Sequence, residues 1–130
     1  MVVDASAVLS LILGEPDAPL IAASLRENRN RLYMSPINKW EVQIRVDKGA
    51  DLVTAKAAEE FSKLFSIVVI PVDDTTATVA IDAHRRYGKG NHPAALNMGD
   101  CFAYALAKSR GEPLLFKGDD FRLTDVKAAL

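Results

Sequence analysis

The segment LNMGDCFAYALAKS, residues 96–109, constrains the fold more than any other part of the chain. From Cys101 to Ala107 the side chains are apolar on almost every side, which predicts a buried central helix rather than a surface helix. The helix nevertheless begins with an acid, Asp100. A carboxylate on a buried helix must be neutral, paired or bound to a cation. The segment therefore predicts a layered fold in which this acid has a specific partner.

Asp100 also has a purely structural interpretation. Asn97, three residues earlier, is a favourable N-cap, and an acid at the third helical position is stabilised by the helix dipole. The alternative is that Asp100 belongs to a cluster of acids that binds a cation. The choice between the two depends on whether other segments bring carboxylates to the same place.

Short apolar runs separated by helical patterns predict an α/β fold. The helical segments are long enough for crossovers, which implies a central parallel sheet covered by helices on both faces. With 130 residues and 49% hydrophobic residues, we expect residues 1–130 to form a single domain around one sheet. The strands are predicted at Met1–Val3, Leu32–Met34, Ile67–Ile70 and Leu114–Phe116. The run Ile67–Ile70 is continuous rather than alternating, which predicts a strand buried on both faces.

Acidic residues follow the first and the last predicted strands. Asp4 comes directly after the first strand, and Asp119 and Asp120 lie in the turn after the last one. Ligands of parallel sheets bind beyond the carboxyl ends of the strands. The helix that contains Asp100 begins from a loop, so its first turn can lie at the same edge.

The helix that follows the second strand supplies a further acid, Glu41. It begins at Ser35-Pro36, a cap followed by a proline at the first helical position. Helical spacing then predicts one inward-facing stripe formed by Ile37, Trp40, Glu41 and Ile44. An acid on an apolar stripe often marks a functional site. The structural alternative is that Glu41 pairs with Arg45.

Carboxylates that converge in this way indicate a divalent cation. They cannot all be ionised in a partly dry cleft without a counter-charge. Oxygen-only ligands favour Mg²⁺, or Mn²⁺ in its place, over zinc, and His84, His92 and the lone Cys101 are not at zinc-ligand spacing. A cation held in this way can activate water against a phosphodiester. The sequence contains no phosphate-binding loop, dinucleotide fingerprint or nucleophile elbow.

Four segments together resemble the PIN-domain ribonucleases of the VapC toxin type: VVDASAVL, SPINKWEV, LNMGDCFAYALAK and PLLFKGDDF. The resemblance covers the whole chain and implies a PIN-like three-layer α/β/α sandwich with a central parallel sheet. It also implies a Mg²⁺-dependent endoribonuclease toxin that leaves a 5′-phosphate and a 3′-hydroxyl. The implied partners are RNA, a second copy of the chain in a homodimer, and a VapB-type antitoxin of a type II toxin–antitoxin module.

The resemblance assigns roles to individual acids. Asp4, Glu41 and Asp100 match the first three acids of the family, and the fourth lies in the turn that contains Asp119 and Asp120, of which we favour Asp119. Asp4 and Asp100 are then the direct metal ligands, Asp119 completes the metal shell, and Glu41 orients or deprotonates the attacking water.

A basic loop before the central helix is a candidate substrate site. Its residues Arg85, Arg86, Lys89 and His92 are predicted to contact RNA phosphates, and the alternative is a solvated loop. The total of sixteen Lys and Arg against seventeen Asp and Glu neither supports nor excludes a nucleic-acid partner. One cysteine and the absence of a signal peptide or membrane span indicate a cytoplasmic protein without membrane association.

Two other classes of function remain open from the sequence. A small receiver-type domain would use an acidic pocket to bind Mg²⁺ for phosphorylation of an Asp, and Lys117 would be its late-strand lysine. That reading leaves an inward-facing Glu41 unexplained. A catalytically inactive PIN scaffold is the third possibility, and the presence of all four acids argues against it.

Overall fold

A parallel sheet of four short strands lies at the centre of the computed structural model, which describes residues 1–49 and 51–130. The order of the strands is β3-β2-β1-β4, and all three pairings are parallel. The strands are β1 (Val2–Val3), β2 (Tyr33–Met34), β3 (Val68–Val69) and β4 (Leu114–Leu115). The predicted α/β class and parallel sheet are confirmed.

Six α-helices connect and flank the strands in the described part of the chain. They are α1 (Ala5–Ile12), α2 (Ala18–Glu27), α3 (Pro36–Gly49), α4 (Leu52–Leu64), α5 (Asp74–Tyr87) and α6 (Met98–Arg110). A short 3₁₀ helix, Asp120–Leu123, follows β4. None of these helices is both long enough and apolar enough to cross a bilayer.

Successive residues of a strand enter different cores, because their side chains point to opposite faces of the sheet. Val2 and Leu114 pack with α5 and α6 on one face, and Val3 and Leu115 pack with the helices α1 to α4 on the other. All four side chains are completely buried. This arrangement is the three-layer sandwich that the sequence predicts.

Polar residues at the carboxyl edge of the sheet begin three of the helices. The Asp4 carboxylate accepts the Ser6 N–H and caps α1, and the Ser35 hydroxyl accepts the Asn38 N–H at the start of α3. Asn97 caps α6. Because each cap satisfies a backbone N–H that has no partner inside its helix, the helix starts are fixed at this edge.

The two outer strands differ from each other. β3 is an edge strand and Val68 is 53% exposed, so the prediction that this run is buried on both faces is wrong. Its continuous apolar composition reflects β-branched residues at a half-covered position rather than a central one. The other edge is covered by the C-terminal segment: the Leu114 N–H donates to Lys127 O at 2.8 Å, and the Ala129 N–H donates to Leu114 O at 2.9 Å.

The predicted inward stripe of α3 is also partly wrong. Trp40 is 60% exposed, whereas Val42 and Val46 pack against the core that contains α1 and α4. The helix is rotated relative to the predicted face, and its one fully buried side chain is that of Asn38. This rotation leaves Glu41 half-buried at the boundary of the helix face rather than at its centre.

Candidate active site

Asp4 is the most deeply buried acid at the carboxyl edge of the sheet. Its side chain is 3% exposed, and its Oδ2 accepts hydrogen bonds from the Ser6 N–H at 2.9 Å and the Ser6 hydroxyl at 2.5 Å. Burial raises the pKa of the Asp4 carboxyl, and the two bonds from Ser6 oppose that rise. The Ser6 hydroxyl also accepts the Lys117 N–H at 3.0 Å, which joins the end of β4 to Asp4.

Asn38 contacts the other oxygen of Asp4, and the sequence analysis missed it. Its Nδ2 donates to Asp4 Oδ1 at 3.0 Å and to Gly99 O at 3.2 Å. A polar residue three positions before Glu41 on the same helix is the only sequence signal that points to it. The contact connects α3 to both β1 and α6.

Glu41 lies over the first turn of α6. A Cβ atom at Gly99 would overlap the Glu41 carboxylate, so the absence of a side chain at Gly99 gives this acid its space. Burial and the charge of Asp4 raise the pKa of Glu41, and the Asn38 side chain opposes the rise. Glu41 therefore lies in the same electrostatic environment as Asp4, although α3 is rotated relative to the prediction.

Asp100 forms a capping box with Asn97. The Asn97 N–H donates to Asp100 Oδ2 at 2.8 Å, and the Asp100 N–H donates to Asn97 Oδ1 at 3.0 Å. The structural interpretation of this acid is thus confirmed. Burial, followed by the charges of other acids, nevertheless raises its pKa to about 7, and those acids are Asp4, Glu41 and Asp120. Capping leaves Asp100 Oδ1 available for a ligand.

The two acids of the last turn have different surroundings. Asp119 is 92% exposed, and its carboxylate faces Arg122 Nε at 3.4 Å. Asp120, at the start of the 3₁₀ helix, contributes to the raised pKa of Asp100. Both side chains are exposed, but of the two only Asp120 is close enough for its charge to affect Asp100.

The acid cluster, defined as Asp4, Glu41, Asp100 and Asp120, lacks a positive counter-charge within the described residues. No ion pair formed by residues 1–49 and 51–130 includes any of its four carboxylates. An all-oxygen donor set with uncompensated charge fits a hard divalent cation. In the described part of the chain, however, no three of these side chains converge closely enough to surround one ion.

The four basic residues predicted to contact RNA phosphates differ in their partners and in their exposure. Arg86 is engaged by Asp82, Asp125 and the Tyr87 hydroxyl at 3.8, 3.7 and 2.7 Å. His92 Nδ1 accepts the Ala94 N–H at 3.1 Å. The side chains of Arg85 and Lys89 are exposed. None of these four basic residues contributes to the pKa shifts of Asp4, Glu41 or Asp100.

Lys117 and Cys101, two further residues considered from the sequence, have structural roles. Lys117 Nζ forms an ion pair with Glu15 Oε2 at 2.6 Å, so its charge is directed to α1 and α2 rather than to the acids. Cys101 is buried, and burial raises the pKa of its thiol to about 11. A thiol of this kind is a packing group rather than a nucleophile.

A parallel sheet between two helical layers, with carboxylates gathered at its carboxyl edge, defines a class of acid-site α/β domains. The sequence model of the family described as "PIN domain" matches residues 1–127, so the chain belongs to the PIN-domain family.

Similar proteins within this family carry the VapC name. The chain is 42% identical to "Ribonuclease VapC" of Mycolicibacterium smegmatis over 98% of each sequence. It is 40% identical to "Ribonuclease VapC28" of Mycobacterium tuberculosis, over 100% of this chain and 98% of that protein.

Solved structures of VapBC proteins have the same fold. The DNA-bound VapBC of Salmonella typhimurium matches with a TM-score of 0.74 at 17% identity, covering 98% of this chain and 94% of that one. VapBC2 of Rickettsia felis, bound to a fragment of its promoter, matches with a TM-score of 0.73 at 13% identity, covering 98% and 95%. The three-layer fold is therefore that of the VapBC structures.

Proposed function

We propose that the chain is the toxin of a type II toxin–antitoxin module and acts as a Mg²⁺-dependent endoribonuclease. Relatives that match nearly its full length are named VapC ribonucleases, which supports hydrolysis of RNA. The observation that carries the proposal is the acid cluster without a counter-charge, in which the pKa of Asp100 is raised to about 7. A divalent cation held by one or two of these carboxylates together with water would supply the counter-charge that the cluster lacks.

We assign roles to individual residues of the cluster. Asp4 and Asp100 would hold the metal. Asp100 offers the oxygen that its cap does not use, and Asp4 offers a carboxylate whose two oxygens also accept hydrogen bonds from Ser6 and Asn38. When bound, Mg²⁺ supplies the counter-charge and acidifies a water molecule. Glu41, whose pKa is raised by burial and by Asp4, would be the group that orients the attacking water or accepts its proton. Arg85 and Lys89 are exposed cations suited to RNA phosphates.

A cleavage assay tests the proposal directly. We expect purified protein to cleave RNA with Mg²⁺ or Mn²⁺, to stop when EDTA is added, and to resume when excess Mg²⁺ is restored. Labelling of the RNA ends identifies the 5′-phosphate and 3′-hydroxyl products. Cleavage that persists in EDTA would remove the metal from the mechanism.

A matched pair of variants tests the fourth acid, which we assign to Asp120 because Asp119 faces Arg122 in solvent. Asp120→Asn is expected to lower turnover by about tenfold or more, since it removes a charge from the cluster. Asp119→Asn is expected to leave turnover within about twofold. The reverse pattern in steady-state RNA cleavage would return the role to Asp119.

The proposed partners are a VapB-type antitoxin and a second copy of the chain. The matched structures are VapBC proteins, and this supports an antitoxin for the present chain. A mainly apolar cavity of about 430 Å³ lies between α1, α3, α4 and β3, and none of the cluster acids lines it. We expect this surface to bind a partner rather than the substrate.

The receiver-type alternative loses its lysine, because Lys117 is paired with Glu15. Incubation with a small phosphoryl donor distinguishes the two functions. A receiver would retain the phosphoryl group on an aspartate, whereas a nuclease would remain unlabelled.

A further inference from the structure

Asn38 is completely enclosed and all of its side-chain hydrogen-bonding groups are engaged. The residue is 1% exposed. Its Oδ1 accepts the Ser35 hydroxyl at 2.5 Å, and its backbone N–H donates to the same hydroxyl at 3.1 Å. Its Nδ2 donates to Asp4 Oδ1 and to Gly99 O. A buried amide with this many partners is expensive to disturb, because each lost bond leaves a buried polar group unpaired.

The partners of Asn38 belong to three separate segments at the carboxyl edge of the sheet. Asp4 follows β1, Ser35 follows β2, and Gly99 lies in the first turn of α6, directly before Asp100. Asp4 and Gly99 are 34 and 61 residues away in sequence. A single side chain therefore fixes the distance between the segments that carry Asp4 and Asp100.

The orientation of the amide is determined by its partners. The Ser35 hydroxyl donates to Oδ1, so the NH₂ group must face the Asp4 carboxylate and the Gly99 carbonyl, both of which are acceptors. An amide donates without adding charge. A lysine here would replace the counter-charge that a cation supplies, and an acid would add to the repulsion.

We propose that Asn38 is a positioning residue that holds Asp4 and the first turn of α6 in the arrangement that binds the divalent cation. This inference rests on the proposed metal-dependent function. It concerns a residue that is not one of the four acids assigned from the family resemblance. Asn38 acts through Asp4 and Gly99 and does not itself contact metal or RNA. Outer residues that orient metal ligands typically change metal affinity or activity by about 10- to 100-fold when replaced.

The first experiment compares Asn38→Ala with Asn28→Ala. Asn28 Nδ2 also donates a side-chain bond to a backbone carbonyl, Ser24 O at 2.9 Å, but at the end of α2 away from the acids. Thermal unfolding is followed while Mg²⁺ is titrated without RNA. We expect Asn38→Ala to raise the Mg²⁺ concentration for half of the stabilising shift by about tenfold or more. We expect Asn28→Ala to match the wild type in this concentration.

Steady-state RNA cleavage gives a second readout at saturating Mg²⁺. Asn38→Ala should lower kcat by about tenfold or more and change KM by less than about twofold, because RNA binding does not use this residue. A lower melting temperature with an unchanged Mg²⁺ response and unchanged kcat would show that Asn38 is only a packing residue, and would overturn the proposal.

Ser35→Ala decides the question if Asn38→Ala does not fold. It leaves the amide in place but removes the donor that orients it, so we expect a smaller change in the same direction for Mg²⁺ response and kcat. Because Ser35 also caps α3, Asp51→Ala is the matched control: it removes the cap of α4, whose carboxylate accepts the Thr54 N–H at 2.7 Å. An unchanged Mg²⁺ response in Ser35→Ala would overturn the proposal.

The same measurements distinguish a failure of the proposed nuclease function from a failure of the positioning role of Asn38. A wild-type protein that is stabilised by Mg²⁺ but cleaves no RNA would refute the nuclease, while the Mg²⁺ titration of Asn38→Ala would still test the positioning role. A wild-type protein that does not respond to Mg²⁺ would overturn both.

Discussion

Asp100 has two functions in one side chain. One carboxylate oxygen caps its own helix, while the group as a whole is exposed to the charges of Asp4, Glu41 and Asp120. Capping fixes the position of the carboxylate at the helix start, and the helix dipole favours a negative charge there. The cost of the neighbouring charges appears in the raised pKa.

Asp100→Asn separates these two functions. An asparagine oxygen can still accept the Asn97 N–H, so the cap is retained while the charge is lost. We expect Mg²⁺-dependent cleavage to be abolished and the metal-free protein to be at least as stable as the wild type, because repulsion is relieved. Urea unfolding without metal and cleavage with Mg²⁺ measure the two effects. A variant that is inactive only because it unfolds would leave Asp100 with the capping role alone.

The stability of the metal-free protein should depend on pH. The dependence should fall between the pKa of Asp100 in the unfolded state and its pKa in the folded state. The folded value is about 7, and that of an unfolded aspartate is about 3.9. Between them the folded state holds a proton that the unfolded state has lost, so the free energy of unfolding falls as the pH rises. Asp4, whose pKa is also raised by burial, contributes in the same direction.

The expected decrease is about 1 kcal/mol between about pH 5 and about pH 7.5, roughly half of what the full shift would give over this range, because Asp100 is partly exposed. Urea unfolding across this range measures it, and Asp100→Asn should flatten the curve. Saturating Mg²⁺ should weaken the decrease, because the metal binds the carboxylate form. A free energy of unfolding that rises with pH over this range, measured without metal, would contradict the raised pKa of Asp100.

At the scale of the elements, the site depends on the close approach of α3 and α6. Glu41 occupies the space beside Gly99, and the Asn38 amide binds the carbonyl of the same residue. The first turn of α6 is thus held by α3 at two points. Small changes in that turn should affect the acids before they affect the fold.

Gly99→Ala tests this contact. The new methyl group would displace the Glu41 carboxylate, which is the flexible end of its side chain, so the unfolding free energy should change by less than about 1 kcal/mol. RNA turnover should fall by about tenfold or more, as it should in Glu41→Gln.

Gly111→Ala is the control for Gly99→Ala. Gly111 ends α6 with a φ of 62°, so alanine there should cost about 1 kcal/mol of stability. Turnover should be unchanged because Gly111 lies at the opposite end of the helix from the acids. Wild-type turnover in Gly99→Ala would show that the position of Glu41 is not required.

Sequence reasoning succeeded for these elements where the determinants are local. Ser35-Pro36 and the Asn97–Asp100 pair mark helix starts within three or four residues, and both caps are present. It failed where distant segments decide: Trp40 is exposed because the rotation of α3 is set by packing against α1 and α4. Asn38 was missed for the same reason, since its partners are distant in sequence.

For the whole molecule, the exposed apolar side chains are the feature that bears on association. Among the described residues, large hydrophobic side chains more than half exposed include Leu20, Trp40, Leu52 and Val53. Exposed side chains of this kind offer apolar area that association with a partner would cover. We expect a dimer by light scattering at micromolar concentration, and a monomer there would contradict it.

We also expect the antitoxin to insert an arginine into the acid cluster. A guanidinium can pair bidentately with carboxylates and supply the missing counter-charge in place of a cation. Replacing that arginine by alanine in the partner should restore cleavage by the complex, and excess Mg²⁺ should weaken inhibition by the intact partner. A neutralised complex that keeps its metal and an open cleft would contradict this mechanism.

The two edges of the sheet are paired differently, and this difference bears on the solubility of shortened chains. The tail acts as an additional partner of β4 through Leu114, Lys127 and Ala129, whereas β3 pairs only with β2 within the described residues. Unpaired strand edges are templates for intermolecular pairing, and the two-residue lengths of β3 and β4 limit that hazard, but β4 also carries an apolar side chain that the tail helps to cover. Trimming the chain before Lys127 would open the second edge beside a fully buried Leu114. Shortened versions of the protein should therefore aggregate even though every acid of the cluster remains.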